Sequence, residues 1–336
     1  MESILVSGGM GFIGSHLIEK LRKEQDYSKI VIIDNLSNAS ASSSNNVIPS
    51  STEPKTKFYK ADIQDKSTVS NIIKHEKIDA CIHLAAKMSV EESVRNPEEV
   101  VKVNIQGTLA MLEACSQNNV KTFVFASSAA VYGHAKVLSP IPEDHVLEPL
   151  SPYGATKVAG ESLVNSYKNC GKIKNALILR FFNVCGEGQS KEYAGVITNF
   201  ADRLSAGLPP VIFGDGLQTR DFVSIDDVTS ILIAATIQAG QTGLSTTLNV
   251  GTGSPVTINE LARKMIHIFG LDNIEPIYRE ANKGDILFSL ADTSRLKHIL
   301  KIEAKTKIEY ELMKIVTRSR KQTPGINSYS KVGLPS

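Results

Sequence analysis

Three glycines near the start of the chain constrain its fold more than any other feature. Gly8, Gly11 and Gly14 directly follow an apolar run at residues 4–6 and open a helical pattern. In such a strand-to-helix turn, the first glycine permits the tight turn, the second lets the backbone approach a pyrophosphate, and the third lets helix and strand pack closely. The free N–H groups at the helix N-terminus favour phosphate groups. This turn therefore predicts a dinucleotide-binding βαβ unit.

Strand and helix patterns alternate through the first half of the chain. Apolar runs suited to buried strands occur at residues 4–6, 30–34, 58–59, 80–84, 122–126 and 176–181, and helical spacing occurs at 12–24, 67–75, 98–117 and 154–168. Strands that are apolar on both faces and separated by helices are typical of a parallel sheet covered on both sides. We therefore predict an α/β protein with a doubly wound parallel sheet, a Rossmann fold.

The regular alternation of strand and helix patterns ends after residue 183. Glycine and proline are more frequent there, and strand and helix patterns no longer alternate. We expect an NAD-binding domain at residues 1–182, a smaller mixed α/β substrate-binding domain at 183–320, and a flexible tail at 321–336. A helical pattern at 224–239 makes residues of about 224–250 a candidate for return to the first domain, and Thr257 with Glu260 predicts a capping box. The polar stretch 37–52 is expected to be mobile.

Asp34 lies 20 residues after Gly14, at the end of the second predicted strand. A carboxylate at that position accepts hydrogen bonds from both ribose hydroxyls and repels a 2′-phosphate. Asp34 therefore favours NAD over NADP, and a plain strand-end turn residue is the alternative interpretation.

Tyr153 and Lys157 are four residues apart near the start of a predicted helix, so both side chains lie on one face. Ser127 and Ser128 end the fifth predicted strand, and ligands of a doubly wound sheet lie outside the carboxyl ends of its strands. A free tyrosine has a pKa of about 10, and a nearby ammonium and a cationic nicotinamide would both lower it. Tyr153 is then a candidate general base, although Y-x-x-x-K also occurs by chance on helix surfaces.

Composition excludes several other classes of function. The net charge of +2 gives no case for nucleic-acid or membrane binding, and no run of about 18 apolar residues suggests a membrane span. The four cysteines form no C-x-x-C pair and no H-E-x-x-H occurs, so no metal site is implied. Reduced thiols of this kind are typical of a cytoplasmic protein.

Over residues of about 3–315, the sequence resembles the extended short-chain dehydrogenases/reductases, and most closely the NAD-dependent nucleotide-sugar epimerases of the UDP-glucose 4-epimerase branch. The resemblance is carried by the stretches at residues 7–14, 33–36, 61–63, 83–87, 127–133, 151–157, 180–184, 220–223 and 284–285, together with Asn104.

The resemblance implies a role for each matched residue. The catalytic residues would be Ser128, Tyr153 and Lys157. The NAD site would comprise Gly8, Gly11, Phe12, Ile13, Gly14, Asp34, Asn35, Asp62, Ile63, Leu84, Ala85, Ala86, Lys87, Asn104, Ser127, Tyr153, Lys157 and Phe182. The UDP-sugar would contact Lys87, Ser128, Tyr153, Asn183, Ile212, Phe213, Arg220, Lys283 and Ser289. The planar guanidinium of Arg220 also suits a diphosphate on chemical grounds, and a surface ion pair with Asp221 or Asp226 is the alternative.

The implied reaction is 4-epimerisation of a UDP-sugar through a transient 4-keto intermediate, with NAD as the recycled hydride carrier. Related dehydratases and decarboxylases carry an acidic residue just after the active serine, where this chain has Ala129 and Ala130. A 4-epimerase of a uronic acid or deoxysugar nucleotide remains an alternative. A non-catalytic NAD-binding regulator is another, although a regulator has no need of the intact catalytic residues.

Three further expectations follow from the resemblance. Asn282 stands where the family usually has a diphosphate-binding arginine, so Lys283 or Arg279 is expected to supply the positive charge. Ser289 falls where a bulky tyrosine would exclude N-acetyl sugars, so both N-acetylated and plain hexoses are expected substrates. A homodimer is expected through a four-helix bundle built from the helices at 98–117 and 154–168, whose apolar residues include Val101, Ile105, Leu109, Leu112, Val158, Leu163 and Val164.

Overall fold

The computed structural model describes residues 3–24, 26–38, 55–135, 138–189, 195–281 and 284–322. Its strands are β1 (Ser3–Ser7), β2 (Lys29–Asp34), β3 (Thr56–Lys60), β4 (Ala80–His83), β5 (Thr122–Ser128), β6 (Asn175–Phe181), β7 (Asn183–Cys185), β8 (Val211–Phe213), β9 (Thr219–Ser224), β10 (Thr246–Val250), β11 (Pro255–Thr257) and β12 (Ile277–Arg279).

Its α-helices are α1 (Phe12–Lys23), α2 (Lys66–Glu76), α3 (Val90–Arg95), α4 (Pro97–Val101), α5 (Gly107–Gln117), α6 (Pro152–Asn169), α7 (Val196–Ser205), α8 (Ile225–Thr242), α9 (Ile258–Phe269), α10 (Ser294–Leu300) and α11 (Ile308–Gln322). A π-helical stretch, Lys102–Gln106, joins α4 to α5, and a short 3₁₀ helix, Ala129–Val131, follows β5.

The central sheet has seven strands in the order β10-β6-β5-β4-β1-β2-β3. Every pairing within it is parallel. The direction of winding reverses between β1 and β4, whose last paired residues are Ser7 and His83. This arrangement confirms the predicted doubly wound parallel sheet, and the reversal point is where such sheets bind ligands.

Both faces of the sheet are covered because successive strand residues point to opposite sides. Ile4 and Val6 pack with apolar residues of α1, α8 and α10 on one face. Leu5 lies on the other face, in the cluster that includes residues of α2, α5 and α6. The strands therefore bury nearly continuous apolar runs, as a parallel sheet between two helical layers requires.

A smaller part of the chain contains a mixed sheet, β11-β9-β7, and a two-stranded parallel sheet, β12-β8. Its own core is formed largely by α7, α9 and α11, with Phe200, Leu261 and Leu312 fully or almost fully buried. β10 joins the edge of the seven-stranded sheet beside β6. The expected capping box is confirmed, because the Glu260 N–H donates to the Thr257 hydroxyl and the Thr257 N–H donates to the Glu260 carboxylate.

The helix predicted over residues 98–117 is present but is not regular throughout. At its centre, the π-helical stretch carries Asn104, which is buried and hydrogen-bonded to both the Lys87 backbone and Thr156. Apolar periodicity could not reveal this irregularity, because those hydrogen bonds come from distant parts of the chain.

Asn282, Lys283, residues 39–54 and the tail from 323 lie outside the described residues, so the expectations for them stay predictions. Within the described ranges, no helix is both long and apolar enough to cross a bilayer. The same ranges contain no cluster of three or more His, Cys, Asp or Glu side chains arranged to hold a metal ion.

Candidate active site

The glycine turn between β1 and α1 is shaped by close backbone contacts. Gly8 has a φ of +72°, and a Cβ there would lie 2.6 Å from the Ala85 nitrogen. A Cβ on Gly14 would lie 2.2 Å from the Gly8 carbonyl oxygen. By contrast, a Cβ on Gly11 would meet only that oxygen, at 3.4 Å. The fold itself therefore requires Gly8 and Gly14, whereas Gly11 leaves space open at the helix N-terminus.

Asp34 ends β2 beside this turn. Its carboxylate accepts hydrogen bonds from the Met10 N–H at 2.9 Å and the Leu36 N–H at 2.7 Å. Burial raises the pKa of Asp34, and the two hydrogen bonds oppose that rise. Next to it, the Asn35 amide donates to Asp62 at 2.9 Å. The carboxylate is thus held at the strand end and retains lone pairs for a ligand hydroxyl.

A cleft of about 220 Å³ runs along the carboxyl ends of the central strands. It is lined by all the expected NAD-site residues except two, namely by Gly8, Gly11, Phe12, Ile13, Gly14, Asp34, Asn35, Asp62, Ile63, Leu84, Ala85, Ala86, Lys87, Ser127, Tyr153 and Lys157. The two exceptions, Asn104 and Phe182, are buried and are not in the lining.

Several lining residues were missed by the sequence analysis. Most of them adjoin a strand end or the glycine turn, and these are Met10, Ile33, Ala61, Ala126 and Phe181. Ser37, Asn38, Met88, Glu99 and Val103 line the same cleft. Gly188 and Gln189 also line it, although nothing in their local sequence points to a ligand.

The catalytic candidates meet where β5 and α6 approach each other. Ser151 caps α6 by accepting from the Gly154 N–H at 3.1 Å, and Pro152 occupies the first turn, which places Tyr153 at the helix start. The Tyr153 side chain lies beside Ser128 at the end of β5, near enough for Ser128 to lower the pKa of the tyrosine. Lys157 lies one turn further along, with its Nζ 5.9 Å from the centroid of the Tyr153 ring.

Burial dominates the charge states of this pair. It raises the pKa of Tyr153, and the neighbouring Ser128 side chain opposes the rise. It also lowers the pKa of Lys157 to about 8, against the charge of Glu161. The expected lowering of the tyrosine pKa is therefore not a property of the protein alone, because desolvation outweighs it. A second positive charge is needed, which a bound cationic nicotinamide would bring.

Asn104 joins two walls of the site. Its Oδ1 accepts from the Lys87 N–H at 2.8 Å, and its Nδ2 donates to the Lys87 carbonyl at 2.9 Å and to Thr156 Oγ1 at 2.9 Å. Thr156 in turn donates to the Tyr153 carbonyl at 2.7 Å. Asn104 thus fixes the segment around Lys87 to the helix that carries Tyr153.

Three of the expected sugar-nucleotide residues lie on neighbouring segments of the smaller part, Asn183 on β7, Arg220 on β9 and Ser289 on the segment after β12. Asn183 is exposed and pairs with Phe222 of β9. A bridge between Thr219 and Phe288 places the next residues, Arg220 and Ser289, on adjacent segments. Ser289 is only 7% exposed and does not line the cleft described above.

Arg220 is ion-paired, but not with either aspartate considered from the sequence. Its Nη2 is 2.6 Å from Asp285 Oδ1, and its Nη1 donates to the Ile286 and Thr219 carbonyls. Asp221 is instead fully buried and accepts from the N–H groups of Thr252 and Gly253. Asp285 is the ion-pair partner of Arg220 because β9 lies beside the segment after residue 284.

The remaining expected contact residues lie on β8, which pairs with β12. Ile212 is buried in the core of the smaller part, so its side chain is not available to a ligand. Phe213 is 39% exposed and pairs in register with Arg279, which is also exposed. Of these two neighbours on β8, Phe213 is the one whose side chain can meet a nucleotide.

Comparison with known proteins agrees with this geometry. Residues 4–251 match the model of the NAD dependent epimerase/dehydratase family. The chain is 36% identical over 303 residues to the UDP-glucose 4-epimerase of Mycolicibacterium smegmatis, a match covering 88% of this chain and 91% of that protein.

Two solved structures are similar over nearly the whole chain. A UDP-glucose 4-epimerase from Thermotoga maritima, solved with UDP-glucose, is 34% identical with a TM-score of 0.85, covering 95% of this chain and 99% of that one. A UDP-N-acetylglucosamine 4-epimerase from Methanobrevibacter ruminantium, solved with UDP-N-acetylmuramic acid, is 33% identical with a TM-score of 0.85, covering 96% and 99%. With the glycine turn, the cleft and the Ser–Tyr–Lys arrangement, these matches show that the chain belongs to the NAD dependent epimerase/dehydratase family.

Proposed function

We propose that this protein catalyses the NAD-dependent 4-epimerisation of a UDP-sugar. The observation that carries the proposal is the meeting of Tyr153 and the buried Lys157 on the wall of the cleft, with Ser128 beside the tyrosine. The named activities of the relatives in Mycolicibacterium smegmatis and Thermotoga maritima support it.

The cleft fits NAD on structural grounds. The space beside Gly11, at the N-terminus of α1, admits a pyrophosphate close to free backbone N–H groups. Asp34 offers a carboxylate to a ribose diol and disfavours an added phosphate there. When bound, NAD supplies the acceptor and later the donor of the hydride at C4 of the sugar.

The protein's own side chains handle the proton. Tyr153 removes the proton of the C4 hydroxyl as the C4–H bond is broken, and it returns that proton when the 4-keto sugar is reduced on its other face. Ser128 donates a hydrogen bond to the reacting oxygen, and the Lys157 ammonium stabilises the phenolate of Tyr153. The buried setting strengthens both electrostatic effects.

Residues 129 and 130 favour this reaction over elimination. Ala129 and Ala130 form the 3₁₀ turn directly after Ser128, so neither position supplies a second acid or base. Oxidation followed by reduction needs only the Tyr153 proton relay. A non-catalytic NAD-binding role does not account for the grouping of Ser128, Tyr153 and Lys157.

The UDP-sugar is proposed to bind to the part of the chain at residues 183–320. Asn183, Phe213 and Arg220 would contact the nucleotide diphosphate, with Arg279 or Lys283 adding positive charge. Activity on the N-acetylhexosamine pair is part of the proposal, supported by the small side chain of Ser289 and by the activity named for the Methanobrevibacter ruminantium protein.

A homodimer is also part of the proposal. Val90 and Val94 of α3 and Val101 of α4 are exposed by 51%, 64% and 39%, and such apolar exposure favours a partner. Leu112 and Val164 are buried within the chain and so would not contribute. Light scattering at micromolar concentration is expected to report a dimer, and a purely monomeric species would contradict this.

Free thiols at all four cysteines support a cytoplasmic location.

The deciding experiment is a product assay with three substrates side by side. UDP-glucose and UDP-N-acetylglucosamine are expected to give their 4-epimers, and UDP-glucuronate is expected to give little or none. Turnover of UDP-glucuronate alone would favour a uronic-acid epimerase instead. Absence of any product, with NAD bound, would refute the proposed catalytic function.

A further inference from the structure

A buried ion pair lies directly behind the catalytic helix. Glu161 of α6 and Arg180 of β6 are 3% and 5% exposed, and they meet at two points, Nε to Oε1 at 2.9 Å and Nη2 to Oε2 at 2.7 Å. Ser127, on the wall of the cleft, donates its hydroxyl to the same carboxylate at 2.5 Å. Because desolvation can outweigh the attraction between buried charges, stability alone is a weak explanation for such a pair.

The guanidinium of this pair is itself fixed in place. Arg180 Nη1 donates to the Tyr132 hydroxyl at 2.9 Å and to the Glu143 carbonyl at 2.8 Å. The Tyr132 hydroxyl then donates to Asn249 at 2.6 Å. The carboxylate of Glu161 is thus held by partners on β5 and β6, which leave it one orientation.

The position of Glu161 along α6 sets what its charge acts on. Tyr153, Lys157 and Glu161 follow each other at intervals of four residues, so they lie on one face of the helix. Lys157 is 5% exposed and donates to the Ala126 carbonyl at 2.8 Å, a contact that carries no full negative charge.

The other described elements packed around Lys157 bring aromatic, neutral or positively charged groups. From β5 come the Phe125 ring, 5.0 Å from Nζ, and the Ala126 carbonyl. From β4 comes His83, whose pKa is lowered by burial to about 3, so it is neutral near pH 7. From β6 comes Arg180, whose charge is paired with Glu161. Among the residues that the structure describes, Glu161 is the carboxylate that favours the charged form of Lys157.

We infer that Glu161 is a positioning residue for the proposed reaction: held between Arg180 and Ser127, it keeps the Lys157 ammonium charged beside Tyr153. The inference rests on the proposed function, because a charged Lys157 matters only if Tyr153 must become a phenolate. Burial has already lowered the pKa of Lys157 to about 8. Loss of the Glu161 charge would lower the pKa of Lys157 further and so reduce its charged fraction near neutral pH.

The test is the pH profile of kcat/KM for Glu161→Gln, which keeps the shape of the side chain and removes its charge. The alkaline limb, where Lys157 loses its proton, is expected to move to lower pH. Glu161→Asp retains the charge and is expected to keep most of the wild-type limb. A limb that stays in place in Glu161→Gln would overturn the inference.

The lowered pKa of Lys157 in Glu161→Gln is also expected to appear in a measurement that needs no turnover, the pH dependence of stability. A lysine whose pKa in the folded protein lies below its unfolded value makes stability rise with pH between those two values. In thermal unfolding of the NAD-bound protein, this rise is expected to begin at lower pH in Glu161→Gln than in wild type. Coincident curves would count against the inference.

Removing Glu161 alone leaves Arg180 buried without its partner, so a second variant controls for folding. Glu161→Gln combined with Arg180→Met removes both charges and is expected to fold with a limb that still lies at lower pH than in wild type. If neither variant folds, the pair has a purely structural role and the inference is wrong. Wild-type turnover tests the proposed function separately, since its absence would refute that function whatever the variants do.

Discussion

Alanine at Gly14 and at Gly11 should have different consequences, although the two glycines belong to one turn. A Cβ at Gly14 would lie 2.2 Å from the Gly8 oxygen and 2.6 Å from the Gly9 Cα, and both of these are backbone atoms that cannot rotate away. A Cβ at Gly11 would meet only the Gly8 oxygen, at 3.4 Å, an ordinary contact. Gly11 has a φ of −74°, which alanine adopts freely. We therefore expect Gly14→Ala to destabilise the fold and Gly11→Ala to impair cofactor binding.

The expected magnitudes follow from these contacts. Gly14 lies inside α1, where alanine is favoured over glycine by about 1 kcal/mol. Overpacking costs about 1–3 kcal/mol, and rigid backbone neighbours place this case at the upper end. The net loss of about 2 kcal/mol would lower Tm by roughly 3 °C in a chain of this size. Gly11→Ala should leave Tm unchanged and weaken NAD binding at least about tenfold, or 1.4 kcal/mol.

The assay is thermal unfolding of both variants after removal of NAD, since a bound ligand would itself raise Tm. Calorimetric titration with NAD then gives the affinity of each variant. Equal losses of Tm in the two variants would refute the assignment of different roles to the two glycines. An unchanged NAD affinity in Gly11→Ala would refute the placement of the pyrophosphate beside Gly11.

Four further substitutions test the reaction and the substrate site. Tyr153→Phe is expected to reduce kcat by about 10²–10⁴-fold with the NAD content unchanged, and turnover within threefold of wild type would contradict its role as the base. Ser289→Tyr is expected to suppress turnover of UDP-N-acetylgalactosamine and spare UDP-galactose, so a parallel loss of both activities would show that Ser289 does not face the sugar. Alanine at Arg279 or Lys283 is expected to raise the KM for the UDP-sugar because a diphosphate needs cationic partners; if neither does, Arg220 alone binds the diphosphate.

Local sequence patterns were sufficient to predict six of the seven strands of the central sheet and the placement of Tyr153 and Lys157 on one helix face beside the cleft. The glycine turn, the apolar runs of β1, β2, β4, β5 and β6 and the spacing of Tyr153 and Lys157 all depend on neighbours within about ten residues. The Ser128 position followed because strand ends converge at one edge of a parallel sheet.

Features that depend on distant partners could not be predicted in this way. Strands β7, β8, β11 and β12 have three residues each, too few to show any alternation. The partners of Asn104 lie 17 and 52 residues away, and Glu161 pairs with Arg180 on a different element. The ion pair of Arg220 with Asp285 likewise depends on how β9 meets a segment 65 residues further on.

The π-helical stretch between α4 and α5 makes the site sensitive to chain length. A π turn contains one residue more than an α turn, so the helix beyond it is rotated by about 100° from the phase of an unbroken α-helix. Deleting one residue within 102–106 would restore regular helix and make that segment locally more stable. The same deletion would either turn Asn104 away from Lys87 and Thr156 or rotate Leu112 out of the core. Substitutions at exposed positions of this stretch preserve the phase, so we expect them to be tolerated where a single deletion is not.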